Sequence, residues 1–320
     1  MMAQACTAMS TVRKSAPLLL QRLQQGISVP PVELIYTPHS RWPLPQTIQQ
    51  HPNRSLRISI LDSSFNPPTL AHLALANSPR RSHRDDDEQS SETQDTCGYD
   101  AKLLLLSVKN VDKSLKAGDA TYLQRLEMML LLSKDVIASP SPEYEAANVA
   151  IAITDKPTFV GKSSALLDFL QRRLTTPLPL ELTFIVGLDT LERLFSPRYY
   201  TSETDMMTSL RQFLSAAPRG DNSRIVCAKR VSSPAEATQT IESPEDISSL
   251  ALAKEFRESD RIVFIDIGNI VNRYSSSAIR SAIGRFGLGQ LETIDQVGGW
   301  KSMVTKEIAD YIVEQRLYVD

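Results

Sequence analysis

A histidine lies one turn into a predicted helix in the segment DSSFNPPTLAH, residues 62–72, directly after the apolar run RISIL. This order predicts a strand, a tight proline-containing turn and a helix start. Such a turn places free backbone N–H groups and the positive end of the helix dipole beside one point, which suits an anion. His72 would point back into that anion site. A half-buried helix histidine without a chemical role is the alternative for His72 taken alone.

A second segment of the same kind is RYSSSAIRSAIGRF, residues 273–286, which follows the apolar run RIVFIDI. Ser275, Ser276 and Ser277 offer hydroxyls and N–H groups at a helix start, another arrangement that binds anions. Arg280, one turn further on, can bind phosphate oxygens through two parallel hydrogen bonds. The alternative is an ordinary serine N-cap with a solvated arginine.

Two further segments contain residues that could bind a ligand. In FIVGLDTLERLF, residues 184–195, Gly187 and Asp189 come directly after a buried strand, although Asp189 could be only a helix N-cap. The segment VGKSS, residues 160–164, resembles the end of a phosphate-binding loop, but Lys156 stands where that loop needs glycine, so we discount it. The remaining histidines lack metal-ligand spacing, and we predict no metal site within the protein; they are His39, His51 and His83.

The elements that would position these residues are six apolar runs that read as strands, at 57–61, 101–108, 148–153, 182–187, 224–230 and 261–267. Their centres are continuously apolar, as in parallel strands covered on both faces by helices. Helix-period patterns lie between them, at 122–134, 165–173 and 205–217. The order predicts an α/β fold with a doubly wound, mainly parallel sheet. In such sheets ligands bind at the carboxyl ends of the strands.

Taken together, residues 57–318 resemble the nucleotidylyltransferase superfamily. Its signatures are Phe-Asn-Pro, then His or Thr, two spacers and His, and later Ser-Ser-Thr-x-x-Arg. The first is matched here by Ser64, Phe65, Asn66, Thr69 and His72, and the second by Ser275, Ser276, Ser277 and Arg280. Ser63 stands at a position usually held by glycine. The resemblance implies a Rossmann-like nucleotidylyltransferase fold.

The resemblance also implies residue roles. His72 would stabilise charge at the α-phosphate of ATP, with Arg280 binding the phosphates. Asp189, with Gly187, would contact a ribose hydroxyl. Lys113 or Lys116 would reach the phosphates, with Arg125 in the helix that follows; a solvated loop lysine is the alternative for either.

The reaction implied is transfer of AMP from ATP, with Mg²⁺ on the phosphates, to nicotinamide mononucleotide or nicotinate mononucleotide, which gives the dinucleotide and pyrophosphate. The segment IADYIVEQRLY, residues 308–318, resembles the closing helix of the nicotinamide-mononucleotide branch. Relatives often stack the nicotinamide ring on a tryptophan, but here the corresponding stretch contains only Phe159. The alternatives are an ATP-hydrolysing or other-acceptor relative and a non-catalytic interaction protein.

Composition narrows the class of partner. Lysine and arginine total 35 against 37 acidic residues, for a net charge of -2, so we expect small-molecule substrates and no nucleic acid. The apolar runs are far shorter than the roughly 20 residues of a membrane helix. Three well-separated cysteines favour a reducing compartment, the cytoplasm and possibly the nucleus. Arg13, Lys14, Arg22 and the absence of acids before Glu33 leave a mitochondrial presequence as the minor alternative.

We predict an N-terminal arm over residues 1–56, partly flexible, with a short helix at 18–24 and an extended part against the domain edge. Residues 57–320 form the predicted domain. Within it, residues 77–100 are polar and charged and predict a disordered insertion, and residues 231–247 predict a flexible loop.

Overall fold

The structure, a computed structural model, describes residues 2–45, 55–80, 98–109, 118–136, 148–228, 253–268, 271–288 and 299–319. Within them the chain forms one seven-stranded sheet in the order β1-β4-β3-β2-β5-β6-β7. The strands are β1 (Val32–Tyr36), β2 (Leu56–Asp62), β3 (Ala101–Ser107), β4 (Val149–Thr154), β5 (Leu180–Gly187), β6 (Ser223–Ala228) and β7 (Ile262–Ile265). Strand β1 is antiparallel to β4, and every other pairing is parallel.

Each strand sends alternate side chains to opposite faces of the sheet, and both faces are covered. In β3 the run of four leucines divides evenly: Leu104 and Leu106 join one core, whereas Leu103 and Leu105 join the other. Both sets are buried, which explains why the strand reads as continuously apolar.

Helices cover the two faces in separate groups. One core includes buried residues of α1 (Met2–Gln24), α2 (Leu70–Ala76), α3 (Tyr122–Asp135), α8 (Ser276–Phe286) and α9 (Lys306–Glu314). The other includes residues of α4 (Phe159–Arg173), α5 (Leu188–Leu194), α6 (Glu203–Leu214) and α7 (Lys254–Glu258). The predicted doubly wound α/β fold is therefore confirmed. No described helix is long and apolar enough to cross a membrane.

Strand order fixes where a ligand can bind. The chain builds outward from the central β2 through β3 to β4, and then crosses to β5 on the other side of β2. Such a reversal opens a crevice at the carboxyl ends of the two strands beside it, the usual ligand site of doubly wound sheets. The DSSFNPP segment follows β2, and Gly187 ends β5.

The N-terminal region is more ordered than the sequence pattern indicates. The predicted short helix at 18–24 is instead the long helix α1, which begins at Met2, and the predicted extended segment contains β1. Leu23 of α1 and Trp42, which follows β1, are both buried in the cores of the domain. Residues 2–45 therefore pack as part of the domain.

The predicted insertion at 77–100 is too long at both ends. Arg80 forms an ion pair with Glu181, with Nε 2.9 Å from Oε1. The Asp100 carboxylate accepts a hydrogen bond from the backbone N–H of Arg57, at 2.7 Å. These polar residues are paired with the domain rather than solvated. Residues 81–97 and the predicted loop at 231–247 lie outside the described residues.

Candidate functional site

A cavity of about 950 Å³ opens at the carboxyl ends of β2 and β5. Its walls combine the segments that the sequence singles out: the turn after β2, the loop after β5 and the start of α8. Of the predicted site residues, the following line it: Ser64, Asn66, His72, Gly187, Asp189, Ser275, Ser276, Ser277 and Arg280. The two predicted anion sites therefore face one cleft.

The two predicted anion-binding segments also touch each other. The Arg280 Nη1 donates to the backbone carbonyl oxygen of Asn66, at 2.5 Å. The Ser276 hydroxyl donates to the carbonyl oxygen of Pro67, at 2.8 Å. Residues more than 200 positions apart in sequence are thus joined by two hydrogen bonds. The Nε of Arg280 lies 3.5 Å from the Asp119 carboxylate. These contacts do not use all the N–H groups of the guanidinium, so it can also bind a ligand.

The imidazole of His72 is held by the helix start that carries it. Thr69 is the N-cap of α2 and forms a capping box with His72. The Thr69 backbone N–H donates to His72 Nδ1 at 3.0 Å, while the Ser63 hydroxyl lies 2.9 Å from Nε2. Burial lowers the pKa of His72 to about 4, so the ring is neutral near pH 7. His72 would then act as a hydrogen-bond donor and not as a full positive charge.

Three predicted residues shape the turn instead of facing the cleft with free groups. The Asn66 side chain donates to Asp119 at 2.7 Å and accepts from the Ala120 N–H at 3.3 Å. Phe65, which has a positive φ of 45°, buries its ring completely, and neither Phe65 nor Thr69 lines the cavity. These residues hold the backbone of the turn in place.

The serines at the start of α8 make different contacts. Ser275 is the N-cap, and its hydroxyl accepts from the Ala278 N–H at 3.2 Å. Ser277 Oγ lies 3.2 Å from Ser275 Oγ. Ser275 therefore serves as the N-cap that the sequence offered as an alternative, and it lines the cleft as well.

Gly187 leaves open space at the end of β5. Its φ of −84° is available to any residue, so the backbone does not require glycine. A Cβ built at this position would meet no protein atom within 4 Å. Gly187 is also the N-cap of α5, which excludes Asp189 from that role and places its carboxylate in the first turn beside the cavity. The glycine therefore keeps room in the cleft for close approach of a ligand.

One ion pair in the cleft wall is absent from the sequence predictions. Lys162 Nζ lies 2.5 Å from the Asp62 carboxylate, and its side chain is only 5% exposed. The same ammonium lies 5.0 Å from the ring centroid of Phe159. Thr158 caps α4, so the helix begins at Phe159, six residues before the predicted start. The Thr158 cap is the signal that would have placed Lys162 in the first turn.

The cleft carries an excess of positive groups among the residues that the structure describes. Five cationic side chains and three carboxylates line it, namely Arg125, Lys162, Arg193, Arg273 and Arg280 against Asp62, Asp119 and Asp189. Aromatic surface comes from Phe159, Tyr199 and Tyr200. Lys113 and Lys116 lie outside the described residues. This lining suits an anionic ligand that also carries a ring.

The described residues of this cleft do not form a metal-binding cluster. Across the described ranges, no cluster of three or more His, Cys, Asp or Glu side chains could hold a metal ion. Mg²⁺ commonly binds through one or two carboxylates together with substrate phosphates and water. A magnesium ion that arrives on the phosphates of a nucleotide is therefore compatible with the residues present.

Comparison with known proteins finds similarity to a curated protein and to distant solved structures. The relative is a Schizosaccharomyces pombe (strain 972) protein named "Putative nicotinamide mononucleotide adenylyltransferase", 32% identical over 174 residues, which are 54% of this chain. The match spans 53% of the relative, about half of its length. No family model matches the chain.

Among solved structures, the chain is similar to Plasmodium falciparum nicotinic acid mononucleotide adenylyltransferase complexed with NaAD, at 15% identity and a TM-score of 0.46. That alignment covers 82% of this chain and 97% of the other. The same protein complexed with APC gives 14% identity and a TM-score of 0.45, covering 82% and 96% of the two chains.

Proposed function

We propose that this protein is an adenylyltransferase that transfers AMP from MgATP to nicotinamide mononucleotide or nicotinate mononucleotide. The observation that carries the proposal is the union of the two anion-binding segments. Arg280 reaches across to the Asn66 carbonyl, so the turn after β2 and the start of α8 form the walls of a single cleft. A triphosphate can then contact both segments at once. The name of the S. pombe relative supports the same chemistry.

The reaction needs no nucleophile from the protein. An oxygen of the acceptor's 5′-phosphate attacks the α-phosphorus of ATP, a new P–O–P link forms, and the bond to the β-phosphate oxygen breaks. Pyrophosphate leaves with that electron pair. Catalysis of such a displacement consists of positioning the two phosphates in line and stabilising the charge that develops on them. Mg²⁺ enters as part of the substrate and neutralises phosphate charge.

Each cleft residue then receives a role that its position supports. The hydrogen-bond donors of the His72 segment would face the α-phosphate, and Arg280 would bind the outgoing phosphates. Asp189, in the first turn of α5, would accept a hydrogen bond from a ribose hydroxyl. Lys113 or Lys116, which lie outside the described residues, are proposed from the sequence alone to bind the phosphates. Positive charge in the cleft lowers the energy of the anionic transition state more than that of the separated substrates.

A pyridine mononucleotide is the acceptor that fits the side chains of the cleft wall. Tyr199 and Tyr200 lie beyond the end of α5 and give aromatic surface without a tryptophan. A pyridine ring can pack against such a surface, whereas the phosphate of the same mononucleotide meets the cationic residues. Pyridine mononucleotides combine both features. With its cysteines reduced, the protein would carry out this reaction in the cytoplasm or nucleus.

The two alternative functions would have different effects on ATP. An ATP-hydrolysing or other-acceptor relative would consume ATP without making a pyridine dinucleotide. A non-catalytic interaction protein on the same fold would not turn ATP over. The intact pair of anion-binding segments favours turnover, because an unused cleft has no need of a guanidinium held between them.

The test is incubation of the purified protein with MgATP and a panel of phosphorylated acceptors, with products separated by chromatography. We expect a dinucleotide and pyrophosphate in equal amounts with a pyridine mononucleotide. Arg280→Ala should lower both ATP affinity and rate, whereas Arg285→Ala, an exposed arginine on the same helix, should match the parent. Consumption of ATP without a dinucleotide would support the hydrolytic alternative, and no consumption the non-catalytic one.

A further inference from the structure

Ser63 lies where the sheet ends and the phosphate-binding turn begins. Its backbone N–H donates to the Leu105 carbonyl of β3 at 3.3 Å, which fixes the residue against the sheet. Its side chain lines the cleft, and its hydroxyl lies 2.9 Å from His72 Nε2. Within the part of the chain that the structure describes, this is the one hydrogen-bond partner of the hydroxyl. The hydroxyl therefore retains capacity for a ligand.

The direction of the hydrogen bonds around His72 follows from one fixed donor. The Thr69 backbone N–H can only donate, and it points at His72 Nδ1 from 3.0 Å, while the Thr69 hydroxyl, which can donate as well, lies 2.9 Å from the same nitrogen. Nδ1 must then present a lone pair, so the neutral ring carries its hydrogen on Nε2. That hydrogen points to Ser63 Oγ. The serine hydroxyl accepts it and keeps its own hydrogen free to donate.

We propose that the Ser63 hydroxyl, held by His72, is the group that donates a hydrogen bond to the reacting phosphate of ATP. The chain of donors would run from the Thr69 N–H to Nδ1, from Nε2–H to Ser63 Oγ, and from the Ser63 O–H to a phosphate oxygen. His72 becomes a positioning residue, and Ser63 the catalytic one. The inference rests on the proposed function and changes which side chain touches the substrate.

Two physical reasons support this order of donors. A hydroxyl that accepts a hydrogen bond becomes a better donor, because linked hydrogen bonds polarise one another. The neutral, desolvated ring of His72 brings no net charge that would compete with Arg280 for the phosphates. The serine is also closer to the backbone of the turn than an imidazole on α2, so its position is more rigid.

The first test reads the ring directly, without any turnover. Nitrogen-15 NMR of the histidine-labelled protein, assigned with His72→Ala, should show the Nε2–H form of His72 at pH 7. Ser63→Ala should shift the Nε2 signal and leave Nδ1 almost unchanged, whereas Ser63→Thr, which keeps a hydroxyl, should resemble the parent. A ring protonated on Nδ1 would overturn the proposal.

The second test compares Ser63→Ala, Ser63→Thr, His72→Ala and the double variant Ser63→Ala/His72→Ala in steady-state kinetics. Because both residues act through one hydrogen bond, we expect each alanine variant to lose about a hundredfold in turnover and the double variant to lose no more. Ser63→Thr should recover most of the rate. A fully active Ser63→Ala protein beside a slow His72→Ala protein would show that His72 contacts the phosphate itself.

The inference can fail separately from the proposed function. If the parent protein makes no dinucleotide, the same variants are compared for ATP binding by calorimetry. Ser63→Ala should then bind ATP severalfold more weakly, with Ser63→Thr close to the parent, since a hydrogen bond to a charged phosphate has been removed. Equal affinities for serine, alanine and threonine would overturn the proposal.

Discussion

At the scale of single residues, the state of His72 depends on its surroundings more than on its identity. A solvated histidine is partly charged near neutral pH. Here the capping box supplies a donor to Nδ1 and burial lowers the pKa to about 4, so the folded protein keeps a neutral ring. The unfolded chain recovers an ordinary pKa near 6.5. This difference links protonation of one ring to stability.

The first prediction follows from that linkage. Because the folded-state pKa is depressed, the unfolded chain binds more protons between about pH 6.5 and pH 4, and stability falls as the pH falls through that window. The expected loss between pH 7 and pH 5 is about 2 kcal/mol from this group alone. Urea unfolding of the parent and of His72→Asn at both pH values measures it. Equal losses in the two proteins would show that His72 titrates normally.

The second prediction concerns Gly187. A Cβ there meets open space within the protein, so Gly187→Ala should fold with a free energy of unfolding lower by less than about 1 kcal/mol, the cost of a poorer N-cap. If ATP occupies this space when bound, the added methyl group would displace it. We then expect kcat/KM for ATP to fall by about tenfold to a hundredfold, as when a substrate is slightly misplaced in an active site. Gly284→Ala, an equally open and exposed position on α8, is the matched control and should keep full activity.

Residue types and spacing predicted part of this site and could not predict the rest. The positions of His72 and Gly187 follow from motifs placed directly after strands, and that of Arg280 from a serine-rich helix start. The Lys162 to Asp62 ion pair joins helix α4 to strand β2, which are distant in sequence, so no local pattern encodes it. The Ser63 contact with Nε2 depends on the ring rotamer, which the surrounding turn sets.

At the scale of elements, α1 behaves as an integral part of the domain. Its residues Val12, Ala16, Leu20 and Leu23 are buried against the core that contains α3. Arg13 of α1 donates to the Glu127 carboxylate of α3 at 2.5 Å. The hydrophobic pattern of α1 is interrupted by polar residues and by Pro17, which is why its full length was missed.

The third prediction tests the attachment of α1. Leu23 is 1% exposed, so Leu23→Ala should lower the free energy of unfolding by about 2–5 kcal/mol through lost burial and a cavity. Leu18 lies on the same helix and is 61% exposed, so Leu18→Ala should change it by less than about 0.5 kcal/mol. Chemical denaturation of both variants gives the comparison. Similar, small effects would mean that α1 is not docked in solution.

The fourth prediction concerns the chain beyond α9. After this helix the backbone takes positive φ values at Arg316 and Tyr318, which turns the chain back toward the cleft. The Tyr318 hydroxyl donates to Asn66 Oδ1 at 3.0 Å, in the turn after β2 that we propose to bind phosphate. Tyr318→Phe should cost about 1 kcal/mol of stability and also reduce kcat/KM severalfold, because the turn loses a support.

A matched variant separates the two effects of Tyr318. The Tyr311 hydroxyl is also buried, and it donates to Glu127 away from the cleft. Tyr311→Phe should therefore lose stability while its kcat/KM for ATP stays at the parent value. An equal loss of activity in both variants, measured at a temperature where both are folded, would make the role of Tyr318 purely structural.

At the scale of the whole molecule, the sequence predicts six of the seven described strands but not their order in the sheet. Six of the strands carry continuous apolar runs, which indicate burial on both faces. Such runs contain no information about which strand is the neighbour. The crossing of the chain from β4 to β5, on the far side of β2, creates the cleft. Strand β1 was missed because an edge strand with half-buried residues lacks the apolar signal.

The last prediction asks whether the cleft works as one unit. If one triphosphate contacts both the turn after β2 and the start of α8, MgATP should slow amide hydrogen exchange at both segments together. Arg280 to Asn66 and Ser276 to Pro67 already join them, so the two segments should open in one cooperative step. Exchange in α1, on the body of the domain, should slow only by the global stabilisation that any ligand of the folded state provides.

Gly187→Val, which fills the space at the end of β5, should abolish the local protection. Protection confined to one of the two segments would mean that the nucleotide occupies only half of the cleft, and the in-line geometry proposed for AMP transfer would fail with it.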